Sequence, residues 1–375
     1  MGSPTRFSLV FIILALLEAV ILQNPPDFPS VKSNFSVKEL CAKKTNKKAY
    51  AFVPLKVNWF EAFAFCARNK MRLLTIKSHV ETIDLGKQLR IEKEVEKKYW
   101  TSGTKYGSRT VSDFIWFTDG SPFIYTNWYK SKNSTRDNQP DNATGNEKCV
   151  VLSDWKMTLK YWYKWHDVPC EKNFAFICES DCKNIYVLSG KKMCFRNTFL
   201  VFFILFSCIK VAFLLDNDNI PKTVPSNFNV QTLCEERENT VKAYAVVTIA
   251  VTWFQAFTFC AERNMSLLMI HSKQESDDIR KELLLRKHEL KTYYWIAGTR
   301  LGAKKTVSDF VWFPDGTPFL YTNWFKGKKG HQPDNQDGTE DCVCLSNTGT
   351  SDIREYKWHD DKCKKKRAFI CESYC

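Results

Sequence analysis

Two short stretches carry the side chains best suited to chemistry, and they match. Around Gln139 the chain reads QPDNATGNEKCVVL, and around Gln332 it reads QPDNQDGTEDCVCL. Gln139, Asp141 and Glu147 bring an amide oxygen and two carboxylates within nine residues around Pro140. Gln332, Asp334 and Glu340 repeat the arrangement, with the second carboxylate again six residues after the first. A third carboxylate comes later in each copy: Asp167 in Trp165-His166-Asp167 and Asp360 in Trp358-His359-Asp360. Such oxygen-rich sets suit a hard cation, since calcium takes roughly six to eight oxygen ligands, several of them anionic. A plain solvent loop would not need to keep these spacings twice. His166 and His359 beside aspartates also raise a hydrolytic dyad or a zinc site. No nucleophile at consistent spacing occurs in both copies, so binding rather than catalysis is expected.

The elements that position these residues are duplicated as well. Cys41 and Cys234, Cys149 and Cys342, and Cys178 and Cys371 are each 193 positions apart, and Cys66 and Cys260 are 194 apart. A period of that length is a whole domain rather than a solenoid repeat. The preludes repeat too. Residues 1–22 carry Arg6 ahead of an apolar run, the layout of a secretory signal peptide. A second such segment lies at 193–215, where Arg196 precedes twelve uncharged residues from Thr198 to Ile209. Lys210 cuts that run short of the about 20 apolar residues a membrane helix needs. It reads as a second leader, implying two adjacent gene copies joined in one chain. The other reading is a genuine two-domain chain with a hydrophobic linker, which touches a membrane only if 198–215 spans it.

Fifteen cysteines divide as six in the first half, two (Cys194 and Cys208) in the hydrophobic segment and seven in the second half. Six per domain in an exported chain reads as a disulfide framework. The seventh, Cys344, stands where the first half has Val151, as a free thiol or a handle for an intermolecular bond. Sequons at Asn34, Asn133, Asn142 and Asn264 agree with secretory passage. The net charge of +14 is spread over scattered lysines without a nucleic-acid-binding signature, so no nucleic-acid partner is expected. A basic surface would instead favour acidic glycans or anionic microbial surfaces.

Within each half the order of elements can be read coarsely. Ala49 to Val53 is β-prone. Asn58-Trp-Phe-Glu61 and Thr252-Trp-Phe-Gln255 look like capping boxes opening helices that carry Cys66 and Cys260. Second helices open at Ser78-His-Val-Glu81 and Ser272-Lys-Gln-Glu275. Short strands follow at Tyr99-Trp100, Phe114–Phe117, Cys149–Leu152, Tyr163–His166 and Phe174–Cys178, with Asp119-Gly120 and Asp315-Gly316 as turns. Two helices followed by a loop-rich antiparallel section make an α+β domain, present twice. Trp100, Trp116 and Trp128, with Trp295, Trp312 and Trp324, read as core aromatics.

The series Cys66, Tyr99-Trp-Thr-Ser-Gly103, Gln139-Pro-Asp141, Cys149, Trp165-His-Asp167, Cys170 and Phe176-Ile-Cys178-Glu resembles the C-type lectin domain family. The second half repeats it from Cys260 through Tyr294-Trp-Ile-Ala-Gly298 to Phe369-Ile-Cys371-Glu. The resemblance covers residues 35–182 and 228–375, leaving 183–225 as linker. It implies the C-type lectin fold and the disulfides Cys66–Cys178, Cys149–Cys170 and Cys41–Cys182. In the second half these become Cys260–Cys371, Cys342–Cys363 and Cys234–Cys375. It further implies a calcium ion held by Gln139, Asp141, Glu147, residue 166 and Asp167, and by Gln332, Asp334, Glu340, residue 359 and Asp360. In the family the ion's open positions accept two neighbouring sugar hydroxyls, and the proline is usually cis. The Gln-Pro-Asp order points to galactose-type sugars, on glycoproteins or microbial surfaces, in a secreted protein of innate immunity. Two departures bear on strength. The family's Trp-Asn-Asp is Trp-His-Asp here, and histidine nitrogen is a poorer ligand for calcium than an amide oxygen. No aromatic follows the Gln-Pro-Asp to stack on a sugar. The alternative is a related protein-binding module in which His166 and His359 mark a degraded calcium site.

Overall fold

The computed structural model describes residues 48–89, 96, 98–110, 113–131, 138–153 and 163–182 of the first half. In the second half it describes 242–285, 293–302, 310–327, 330–347 and 356–374. Both leader-like segments, the linker, Asn34 and Asn133 lie outside these residues, as do Cys41, Cys234 and Cys375 and therefore the two end-tying pairings. Among the described residues no helix is long and apolar enough to cross a membrane.

Each half runs strand, helix, short strand, helix, then a sheet. In the first half these are β1 (Lys48–Val57), α1 (Trp59–Arg68), β2 (Arg72–Leu73), α2 (His79–Leu89), β3 (Lys98–Thr104), β4 (Ile115–Trp116), β5 (Cys149–Ser153), β6 (Lys164–Val168) and β7 (Phe174–Asp181). The sheet order is β1-β7-β3-β5-β6, with β7 antiparallel to β1 and parallel to β3. The second half follows with β8 (Lys242–Val251), α3 (Trp253–Ala261), β9 (Ser266–Leu267), α4 (Lys273–Leu285), β10 (Tyr293–Thr299) and β11 (Val311–Trp312). After them come β12 (Thr317–Pro318), β13 (Lys326–Gly327), β14 (Gly330–His331), β15 (Cys342–Asn347), β16 (Tyr356–Asp361) and β17 (Arg367–Tyr374). Here β17 lies between β8 and β10, and β15 joins β10 to β16. This is the α+β, disulfide-stapled architecture expected from the sequence, present twice.

Local chemistry explains the helix starts. Asn58 Oδ1 accepts from Glu61 N (2.9 Å) while Asn58 N donates to Glu61 Oε2 (3.1 Å), a reciprocal capping box. Thr252 and Gln255 do the same at α3. At α2 the motif is offset: Ser78 Oγ accepts from Glu81 N, but the Glu81 carboxylate reaches back to Lys77 N. β1 is longer than its β-prone core because it stays paired with β7 past a register shift between Val53 and Val57.

Tryptophans tie helix to sheet. Trp59 Nε1 donates to Thr101 O and Trp253 Nε1 to Ile296 O, both at 2.8 Å, so these two buried indole N–H groups have partners. Trp100, Trp116 and Trp165, with Trp295, Trp312 and Trp358, are essentially fully buried, whereas Trp128 and Trp324 pack on the edges of the core. Cys66–Cys178 and Cys260–Cys371 bond the first helix of each half to its last strand. Cys149–Cys170 and Cys342–Cys363 close the end of the sheet that carries the acidic loop. Each such bond stabilises a small domain by roughly 2–4 kcal/mol. Cys344 is fully buried in β15 and its thiol is pushed up to about 12 by burial, so it is no handle for an intermolecular bond.

Candidate functional site

The loop between β4 and β5 meets β6 near its end in the first half, and the loop between β14 and β15 meets β16 in the second. Asp167 pairs across the sheet with Val150, and Asp360 with Val343, which aims both carboxylates at the loop. Asp167 Oδ1 accepts from Asp141 N (3.0 Å) and Oδ2 from Asn142 N (3.1 Å). Asp360 holds Asp334 N (3.1 Å) and Asn335 N (2.9 Å) in the same way. Glu147 Oε2 accepts from Ala143 N at 2.9 Å, and Glu340 Oε2 from Gln336 N at 3.1 Å. The Gln139–Pro140 and Gln332–Pro333 peptide bonds are cis.

Two asparagines complete the turn. Asn142 and Asn335 adopt left-handed backbone angles (φ 48° and 45°), a region asparagine tolerates better than most residues. Their Oδ1 atoms accept from Glu147 N and Glu340 N, at 2.9 and 3.1 Å. Gly145 and Gly338, also at positive φ, let the loop return.

The result is a convergence of charge. One carboxylate oxygen each from Asp141, Glu147 and Asp167 lies within 4.8 Å of the others, and Asp334, Glu340 and Asp360 form the matching group. In both, the first aspartate is exposed and the other two acids are buried. Burial first, and then the neighbouring Asp167, raises the Glu147 carboxyl above its ordinary value. Burial and Asp360 push Glu340 up to about 7. Asp167 and Asp360 are raised too, chiefly by burial, against the N–H groups that lower them. Three crowded acids of this kind form a donor set that fits a divalent cation of oxygen preference.

The other expected ligands sit differently. Gln139 Oε1 accepts from Asp167 N (3.2 Å) and Gln332 Oε1 from Asp360 N (3.0 Å), so each amide braces the strand beside the acids. His166 and His359 are not brought into the carboxylate groups. His166 stacks on Tyr129 (centroids 5.2 Å) and His359 on Phe325 (5.1 Å). Burial, with Lys98 adding to it, lowers His166 to about 4, and His359 is also lowered, so both rings are neutral near pH 7.

One residue at the second site is absent from the sequence reading. Arg300, buried at 5% exposure, donates from Nη2 to Asp360 Oδ2 at 3.2 Å and to the Glu340 carbonyl. Its place two residues after the Gly of Tyr294-Trp-Ile-Ala-Gly298 matches Lys105, two residues after Gly103. The recurrence of a basic residue there was the available signal.

The lectin C-type domain family matches residues 55–180 and 249–373, and the chain belongs to that family, as two tandem C-type lectin carbohydrate-recognition domains. It is 31% identical over 144 residues to salivary C-type lectin 2 of Aedes albopictus, covering 37% of this chain and 88% of that protein. It is 32% identical over 123 residues to a C-type lectin of Micrurus corallinus, covering 32% of this chain and 68% of that one. Among solved structures, the mouse scavenger receptor C-type lectin carbohydrate-recognition domain matches at 29% identity with a TM-score of 0.30, over 37% of this chain and 92% of that one.

Proposed function

We propose that the chain is a secreted, calcium-dependent carbohydrate-binding lectin that prefers galactose-type sugars on glycoprotein or microbial surfaces. The observation that carries this reading is the convergence of Asp141, Glu147 and Asp167, and of Asp334, Glu340 and Asp360, into two like groups. Gln139 and Gln332 would complete each set. A bound calcium supplies positive charge and open coordination positions for two adjacent sugar hydroxyls. The exposed Asp141 and Asp334 lie where such hydroxyls could also be hydrogen-bonded, and the buried acids are held by the backbone web described above. Relatives named as salivary lectins support a secreted protein. The domains are proposed to span 35–182 and 228–375, after leaders at 1–22 and within 193–215.

A second reading has its own observation. The two histidines replace an oxygen ligand and stack on aromatic rings away from the acids, as in a module that binds protein without calcium. Immobilised galactose separates the two. Retention released by a chelator supports the lectin reading. Retention on no galactose-type sugar, with chain stability unaffected by calcium, sinks it.

A further inference from the structure

The two halves meet through one face, and that face is built the same way on both sides. Phe63 of α1 stacks on Phe313 of the second half (centroids 4.7 Å, planes 3° apart), and Phe257 of α3 stacks on Phe117 of the first (4.7 Å, 4°). Phe63 and Phe257 meet edge to face at 5.9 Å. Glycines let each helix backbone seat closely on the opposite half. A Cβ on Gly302 would come within 3.0 Å of Phe60 O and 3.1 Å of Ala64 Cβ, and one on Gly107 within 2.9 Å of Phe254 O. Gly316 and Gly120 likewise abut Ala64 and Thr258. Phe60, Phe63 and Ala64 therefore correspond to Phe254, Phe257 and Thr258, and Gly107 and Gly120 to Gly302 and Gly316. Contacts that are exchanged in this way define an isologous, two-fold interface, here between unlike copies.

We propose that this face is a dimerisation surface of these lectin domains, whose partner is the other half of the chain as a separately folded body. The pairing then does not depend on the covalent connection between residues 182 and 242. Its centre is apolar and aromatic, the kind of surface that is not left in water. Its rim adds polar contacts that a pair of two first halves could not keep. Arg109 bonds Glu262 at 2.8 Å, Gln255 Nε2 donates to Ser108 O (3.2 Å), and Thr258 Oγ1 to Gly107 O (3.1 Å). Two copies of the first half would set Arg109 against Arg68, the counterpart of Glu262, and like charges disfavour that pair. Two acidic loops thus sit in one particle even when the chain is cut, which would let weak sites gain by avidity.

The test inserts a protease site between residues 183 and 240 of the full chain, cuts it, and follows size by sedimentation without reductant. Cut wild type is expected to sediment like the intact chain. Ala64→Arg with Thr258→Arg, aimed at the opposite glycines, should turn cut material into half-size species while the four described disulfides still map correctly. A milder variant leaves both cores untouched: Arg109→Glu should weaken pairing a few-fold, the scale of an exposed ion pair, and adding Glu262→Arg should restore it. Half-size species from cut wild type overturn the proposal. Full-size cut Ala64→Arg/Thr258→Arg protein with mapped disulfides, or no restoration by the charge swap, does so as well.

Discussion

The two acidic loops share one hydrogen-bond web and differ in the cation behind it. In the first half Lys105 Nζ lies 4.7 Å from the Phe114 ring centre, and in the second Arg300 Cζ lies 4.9 Å from Phe310. Among the described residues, only Arg300 also donates, from Nη2, to both Asp360 and the Glu340 carbonyl. Ligand positions are set by backbone N–H groups that both copies keep. The strength with which the acids would hold a metal is set by buried charge that the copies do not share. The second site already spends one Asp360 oxygen on Arg300, so it is expected to bind calcium more weakly.

The largest effect should come from removing a carboxylate. Asp141→Ala or Glu147→Ala takes a charged oxygen from a set with few to spare, and should abolish calcium and sugar binding in the first half while leaving the second intact. Calorimetry should show one ion fewer per chain. Unchanged stoichiometry and affinity would mean the convergent acids are not the ligands.

Proton competition comes next. Glu340 holds its proton up to about 7 in the folded, metal-free state. Calcium must displace that proton, so affinity at the second site should be full above about pH 7 and fall up to about tenfold per unit below it. The sign for stability is opposite. Without calcium, a raised carboxyl takes up a proton in the fold before it does in the unfolded chain. Glu340 therefore adds stability as pH drops from about 7 toward 4.5, and Glu340→Gln should flatten that segment of the denaturation curve in chelator. A wild-type curve identical to that of the variant would remove Glu340 from the cluster's electrostatics.

Exchanging the cations tests the comparison directly. Arg300→Lys should tighten the second site and Lys105→Arg loosen the first, each by about tenfold. That is the equivalent of one charge-assisted hydrogen bond of about 1.5 kcal/mol. If both substitutions leave calorimetric affinities alone, the buried base does not set the difference.

Much of this was legible in the sequence because it is local. The capping boxes at Asn58 and Thr252, the left-to-right order of cysteines and the six-residue spacing of acids all lie within short windows. The carboxylate groups also needed Asp167 and Asp360, which the repeated Trp-His-Asp made visible. What could not be read depends on chain crossings. Lys105 and Arg300 reach their loops only because β3 and β10 pair with β5 and β15. The stacking of Phe63 on Phe313 joins residues from different halves, and no periodicity marks it.

The smallest expected effect concerns the histidines, and it tests whether they belong to the cation sites. His166 is neutral at pH 7 and stacked on Tyr129, outside the carboxylate group, so it contributes no charge to a cation there. His166→Asn exchanges that stack for an amide oxygen beside Asp167, a better donor for calcium than imidazole nitrogen. The gain should be a few-fold in calcium affinity, limited because Gln139 already braces the strand and the new side chain must turn toward the loop. His359→Asn should gain less, since Arg300 still occupies Asp360. Titration of each variant against wild type measures both shifts. A loss of affinity instead, or a wild-type preference for zinc over calcium, would show that the imidazole is itself a ligand and that the sites hold a softer metal than the acids alone suggest.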